Sequence, residues 1–289
     1  MNKWIMAGTA AAFTGAAAFA RSEYERTHLD IVHYDIKTDK LGLEWNGFKA
    51  VFLSDLHDNS FGMENEELLA AIEKEQPDIV VIGGDMLVVK EWAAPHFDML
   101  ANLYRKLVKR YPVYYAFGNH EQRMKEEPLT YPGWWQSYWK VLKDSLVNKS
   151  EEIIKNGTAM RISGITLPRE CYRKGRIPSL SAGYIDKKIG KASDKNFELL
   201  LAHTPTFAKT YADWGADLVL SGHFHGGTIR IPGLGGVMTP QLQFFSPLAR
   251  GNVTQKNTNI IVSGGLGTHS INVRLNNLPQ LVVLTWKTH

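Results

Sequence analysis

Five short clusters of metal-binding side chains recur through more than half of the chain, and each stands directly behind an apolar run. The clusters are Asp55-Leu56-His57, Gly84-Asp85, Gly118-Asn119-His120-Glu121, Ala202-His203 and Gly222-His223-Phe224-His225. The runs occupy residues 48–53, 79–82, 113–117, 199–201 and 218–220. Short apolar runs that stop at a turn or a glycine read as strands buried in a packed sheet. Polar groups at strand C-termini are where open α/β sheets gather their ligands. Leaving Glu121 aside, the set contains two carboxylates, one amide and five imidazoles, enough for two metal ions that share a bridging group.

From Phe48 onward the pattern alternates strand with helix. Residues 64–75 carry Leu68, Leu69 and Ile72 at helical spacing and stop before Pro77. Residues 95–110 place Phe97, Leu100, Leu103, Tyr104 and Leu107 on one face. A third helix is predicted over 134–147, where Trp135, Trp139 and Leu142 read as a core stripe. Trp134 and Tyr138 are left to face lipid or substrate. Strand character resumes at 158–165, and the polar stretch 166–195 reads as a long loop. Segments near 228–231, 259–262 and 281–286 read as antiparallel strands. Ahead of all this, residues 21–46 read as a linker and an edge strand at 29–36, with 41–45 able to pair with it. The pattern implies one domain over 27–289, in which a second, mostly antiparallel sheet stacks on the first.

Composition narrows the function classes. With 44% hydrophobic and 21% charged residues the chain is globular. A net charge of +4 lends little support to a nucleic-acid partner, and none is expected. The lone Cys171 excludes an intrachain disulfide and a thiolate zinc cluster. Residues 4–20 carry no charge and are rich in alanine. They stand at the lower edge of the length needed to cross a bilayer. Ala18-Phe19-Ala20 fits a signal-peptidase site, and no arginine pair precedes the run. A membrane anchor, a cleaved signal and an amphipathic or buried helix remain open for residues 1–26. Membrane targeting is the expectation, giving a protein at the cell membrane or secreted after cleavage.

Asp, His and Asn donors suit Mn, Fe, Zn or Co better than Ca. Asp55-x-His57 would put two side chains on the same side of an extended segment. The glycines around His223 and His225 would allow a sharp turn near the ions. His28, His33, His96, His269 and His289 lack such a setting and read as ordinary surface or core histidines.

In order and spacing, Asp-x-His, Gly-Asp, Gly-Asn-His-Glu, His and Gly-His-x-His resemble the calcineurin-like metallophosphoesterase superfamily over about residues 48–227. The segments 225–233 and 264–268 resemble its bacterial membrane-associated or exported YkuE/YaeI-like branch. The resemblance implies an α/β fold, a four-layer α/β/β/α sandwich of two mixed sheets flanked by helices. It also implies two divalent ions, Mn2+, Fe2+ or Zn2+, between the sheets. Asp55, His57, Asp85 and His225 would hold one ion, and Asp85, Asn119, His203 and His223 the other, with Asp85 bridging. His120 would stabilise or protonate the leaving oxygen while hydroxide formed at the ions attacks phosphorus. Val88 replaces a second Asp that the family often carries, and Glu121 replaces the commoner Asp.

The function implied is hydrolysis of a phosphodiester or pyrophosphate, with a lipid or cell-envelope substrate favoured and the outer membrane face as its place. Arg169, Arg173, Lys174 and Arg176 could hold a second phosphate or a lipid headgroup, or simply form a solvated loop. The alternatives are an inactive scaffold of the same fold and a soluble-nucleotide phosphodiesterase.

Overall fold

The computed structural model describes residues 3–89, 96–126, 139–268 and 272–288. Its first sheet contains β1 (Asp30–Lys37), β2 (Lys49–Leu53), β3 (Ile79–Ile82), β4 (Val113–Tyr115) and β13 (Gln280–Lys287), in the order β1-β13-β2-β3-β4. Its second contains β5 (Lys149–Lys155), β6 (Thr158–Ile165), β7 (Phe197–Ala202), β8 (Leu218–Ser221), β11 (Gly251–Gln255) and β12 (Thr258–Val262). The order there is β11-β12-β8-β7-β6-β5. A hairpin of β9 (Arg230–Ile231) and β10 (Gly235–Gly236) stands apart.

The continuous apolar runs are explained by burial on both faces of each strand. In β2, Val51 and Leu53 face one core while Ala50 and Phe52 face another. Val80 and Ile82 of β3 divide from Ile79 and Val81 in the same way. The outer core packs beneath α2 (Glu66–Glu75) and α3 (Phe97–Val108) through Leu68, Ile72, Leu100, Leu103 and Leu107. In the second sheet Leu199 and Leu201 point to the middle core, whereas Leu200 and Val219 pack against Ile185, Tyr211 and Trp214. Those three belong to α5 (Ala182–Ile189) and α6 (Ala208–Trp214). Three apolar layers separate four layers of structure, and the α/β/β/α sandwich follows. Each fully buried Val, Leu, Ile or Phe contributes about 1.5–3 kcal/mol, so neither sheet tolerates a polar side chain on either face at these positions.

Several expectations are corrected. The second sheet is mixed rather than mostly antiparallel, since β6, β7, β8 and β12 run parallel. The late strands β12 and β13 are separated by long stretches of chain from their parallel neighbours, β8 and β1, which permits parallel entry. Each lies parallel to one neighbour and antiparallel to the other. Residues 41–45 form no strand. A 3-10 turn at Leu43–Trp45 buries Trp45 in the middle core, its Nε1 donating to Thr158 Oγ1 at 2.8 Å. The stretch 166–195 contains a 3-10 turn at Arg169–Tyr172 and α5, so it is more than a loop. The predicted helix over 134–147 is helical only to residue 142 in its described part. Leu142 and Leu146 are buried there, but Trp139 is 37% exposed and does not join the core. Tyr131, Trp134, Trp135 and Tyr138 lie outside the described residues, as do His269 and His289.

The N-terminal segment is one helix, α1 (Lys3–Thr27), which runs through the expected linker. Among the described residues no helix is long and apolar enough to cross a membrane. The end of α1 docks on the domain. Ser22 Oγ accepts from Arg274 N–H at 3.1 Å, and the Glu25 carboxylate accepts from Asn276 and Asn277 N–H at 2.9 and 2.7 Å.

Candidate metal centre

The parallel strands β2, β3, β7 and β8 deliver their C-terminal turns to one corner between the sheets. The turn after β4 enters α4 (Asn119–Glu126) at the same place. The sequence-predicted donors Asp55, His57, Asp85, His203, His223 and His225 meet there with His120, and Asn119 opens α4. Asp55, His57, Asp85, His120, His203, His223 and His225 are buried, and three groups of donors converge: Asp55, His57 and His225; His57, Asp85 and His120; Asp85, His203 and His223. His57 Nε2 and His225 Nε2 stand 3.1 Å apart, and both approach Asp55 Oδ1, at 3.7 and 3.4 Å. Asp85 Oδ2 lies 3.1 Å from His203 Nε2, 3.9 Å from His57 Nε2 and 4.0 Å from His120 Nε2.

The side chains converge through the backbone, and not in the expected way. Asp55 and His57 have φ of +55° and +49°, so the pair sits on a left-handed turn rather than an extended segment. Asp85, His223 and His225 share that region, with φ of +52°, +64° and +48°. A left-handed conformation costs a non-glycine residue roughly 1–2 kcal/mol and gathers at functional sites held by their surroundings. Glycine is required where these turns touch. A side-chain carbon at Gly84 would run into the Gly118 backbone, and one at Gly222 into the Asp55 carboxylate.

Second contacts orient the donors. His203 Nδ1 lies 2.8 Å from Gly83 O and His225 Nδ1 3.1 Å from Gly267 O. A proton on each Nδ1 makes both hydrogen bonds and turns the Nε2 lone pair to the cluster. Asp55 accepts from Ser54 Oγ at 2.7 Å and from His223 N–H, and Asp85 from His120 N–H at 2.8 Å. Val89 N–H donates to His120 Nδ1 at 2.9 Å, which leaves the His120 proton on Nε2. Burial alone would raise the Asp55 carboxyl, but His225 and His203 hold it well below the usual carboxylate range. Burial alone would lower His203, yet Asp85 and Asp55 lift it to about 10.

This donor set fits divalent cations. Carboxylate oxygens and imidazole nitrogens meet in a buried corner. There Asn119 Oδ1 is shielded from water and accepts no hydrogen bond among the described residues. A buried amide oxygen without a donor is costly, and a cation satisfies it.

Sequence reasoning treated Glu121 as a minor variation. In the structure it is fully buried and accepts four hydrogen bonds, from the N–H groups of Asp85, Met86 and Gly118 and from Tyr115 Oη, at 2.8–3.0 Å. Burial and the charge of Asp85 push its carboxyl up to about 7. At position 88 the backbone N–H donates to Asp58 Oδ2 at 3.1 Å. Two contributors escaped the sequence reading altogether. Tyr172 sets its ring edge-on to His223, centroids 5.1 Å apart. Arg274, buried, donates to the carbonyls of Gly264, Gly265, Gly267 and Asn277. It therefore shapes the loop that carries the His225 acceptor. A lone basic residue far from any ligand motif gave no signal of this.

A cavity of about 110 Å³ opens beside His225, lined among others by Lys174, Met238, Pro240, Leu242 and Val273. Of the four basic residues singled out from the loop at 169–176, Lys174 is the one that lines it.

The calcineurin-like phosphoesterase family matches residues 48–227, which contain every one of these ligands. The chain belongs to that family. It is 25% identical to the metallophosphoesterase YkuE of Bacillus subtilis (strain 168), over 96% of this chain and 93% of that one. It is 27% identical to YkoQ of the same organism, over 79% and 80% of the two chains. It is 27% identical to the phosphodiesterase YaeI of Escherichia coli (strain K12), over 67% and 66%. These relatives place it in the YkuE/YaeI-like branch. The protein is a metal-dependent phosphoesterase with a phosphoester substrate.

Proposed function

We propose that this enzyme hydrolyses a phosphodiester or pyrophosphate bond in a lipid or cell-envelope substrate, using two divalent ions, Mn2+, Fe2+ or Zn2+. Asp55, His57, Asp85 and His225 hold one ion, and Asp85, Asn119, His203 and His223 hold the other. The observation that carries this reading is the position of Asp85, whose Oδ2 lies 3.1 Å from His203 Nε2 and 3.9 Å from His57 Nε2. One carboxylate within reach of imidazoles from both proposed sets supports a bridging role.

Bound there, the ions would lower the pKa of a water and offset charge on the phosphoryl oxygens. The rest falls to the protein. Gly83 and Gly267 carbonyls keep His203 and His225 in one orientation. Val89 keeps the His120 proton on Nε2, the nitrogen that faces Asp85 and the cluster. His120 then donates to the leaving oxygen, a contribution of about 10²–10⁴ in rate. The wall of Met238, Pro240, Leu242 and Val273, with Lys174 among the lining residues, favours an amphiphilic alcohol on the diester. An envelope location, on the outer membrane face or after secretion, accords with such a substrate.

The test is hydrolysis of bis(p-nitrophenyl) phosphate with added Mn2+, beside detergent-dispersed phospholipid. His120→Ala is expected to keep its metal and lose about 10²–10⁴ of turnover, while Asp85→Ala loses metal and activity together. Equal metal content in the two variants would refute the assigned roles. Turnover of the soluble diester without any of the phospholipid would remove the lipid substrate.

A further inference from the structure

Residues 229–245 form a ribbon at the cavity mouth that phosphoester chemistry leaves unexplained. β9 and β10 pair, Val237 N–H donates to Ile229 O at 2.8 Å, and Phe245 N–H donates to Val237 O at 3.2 Å. Met238 also bridges Phe244. Three short segments therefore lie side by side. Ile229, Ile231, Leu234, Leu242, Phe244 and Phe245 are all exposed there, between 38% and 65%. Single exposed apolar side chains are ordinary, but six within one short ribbon are not. Leu242 also lines the cavity beside His225, so the ribbon adjoins the metal corner.

Charge selects the partner. From Leu218 to His289 the sequence contains no Asp or Glu; of its basic residues Arg250 pairs with Asp30, Lys256 pairs with Asp213 and Arg274 is buried. Arg230 belongs to the ribbon and Lys174 to the cavity lining. The end of α1 is tied to the same place. Glu25 accepts from Asn276 and Asn277, and Asn276 Nδ2 donates to Arg230 O at 3.2 Å. Farther along α1, Phe13 and Phe19 are 77% and 68% exposed.

We propose that this ribbon docks on an anionic bilayer. Its apolar side chains enter the boundary between headgroups and acyl chains, while Arg230 and Lys174 meet headgroup phosphates. The cavity then faces the membrane. This deepens the reading of an amphiphilic phosphodiester as substrate and rests on it for its purpose, though not for its geometry.

The test uses the full chain loaded with Mn2+ and vesicles of phosphatidylcholine with and without phosphatidylglycerol. The parent is expected to sediment with the anionic vesicles, and less with phosphatidylcholine alone. Leu234→Ser/Phe244→Ser/Phe245→Ser is expected to lower the vesicle partition coefficient by about tenfold or more, with kcat/KM on a soluble diester unchanged. Leu234→Ser alone, at the hairpin tip, gives a smaller loss and keeps the test open if the triple variant does not fold. Equal sedimentation of parent and variants would overturn the proposal. So would a parent dimer that the substitutions convert to monomer, because the ribbon would then be a subunit contact. Vesicle binding that the substitutions abolish, in a protein inactive on every diester, would uphold the docking surface and reject the proposed reaction.

Discussion

The two sheets bring different chemistry to the corner they share. β2, β3 and the turn after β4 contribute both carboxylates, Asp55 and Asp85, with His57, Asn119 and His120. The turns after β7 and β8 contribute imidazoles, His203, His223 and His225. Each half is braced by the other. Asp55 of the first accepts from the His223 backbone of the second, and His203 of the second lies hydrogen-bonded to the Gly83 carbonyl of the first. Two of the three converging donor groups, Asp55 with His57 and His225, and Asp85 with His203 and His223, draw on both sheets. Cations in this corner would cross-link the sandwich at the end where the middle apolar core stops, so metal binding and sheet packing should depend on each other.

The sharpest way to break this comparison sets Asp85 against His223. In the proposed centre Asp85 is shared, so Asp85→Ala should leave no ion bound and reduce activity to background. His223 would serve one ion, so His223→Ala should retain the ion assigned to Asp55, His57, Asp85 and His225, with activity much reduced. Metal content per chain by plasma emission decides between them. Mn2+ at a hundred times its Kd should stabilise the parent by about 2.7 kcal/mol, visible as a rise in Tm, and should do nothing for Asp85→Ala. A full complement of ions in Asp85→Ala would show that the two halves do not share a ligand.

What could be read beforehand divides along the same line. The strands were legible because 79–82 is apolar at every position and its counterparts nearly so, as double-sided burial requires. The ligands were legible because each follows such a run. The turn geometry was hidden. Nothing in Asp55-Leu56-His57 announces that both ligands adopt positive φ, because the energy that holds them there comes from contacts made by residues far away in sequence. The direction of β12 and β13 was hidden for a related reason, since alternation reports which faces are buried and not which neighbour a strand selects. The helix at 182–189 was masked by its short length and the polar sequence around it.

A smaller effect sharpens the carboxylate half. Glu121 binds the N–H groups of Asp85, Met86 and Gly118 and the Tyr115 hydroxyl through its two oxygens. In Glu121→Gln one oxygen becomes an NH2 group that must face donors. The turn bearing Asp85 should loosen while every ligand remains. Metal affinity is expected to fall by about 10–100-fold, with kcat recovering when Mn2+ is saturating. A kcat that stays low at saturating metal would mean that Glu121 acts on the reaction itself rather than through the position of Asp85.

The smallest effect belongs to the imidazole half, where the corresponding brace comes from the N-terminal helix. Glu25 fixes the backbone of Asn276 and Asn277, and Asn277 Nδ2 donates to His225 O at 2.7 Å. Glu25→Ala leaves both N–H groups without their acceptor. Asn277 is buried and Asn276 is exposed, so water can replace one bond and not the other. A loss of roughly 1–3 kcal/mol is expected for the unsatisfied group, measurable as a lowered Tm. His225 keeps its Gly267 partner, so activity should fall only a few-fold. Glu25→Gln, which retains one acceptor oxygen, should lie between the two. If Tm falls and metal affinity does not move, α1 stabilises the domain without positioning the ligand. If both fall together, the helix end is part of the site, and the imidazole half owes its geometry to a segment some two hundred residues away in sequence.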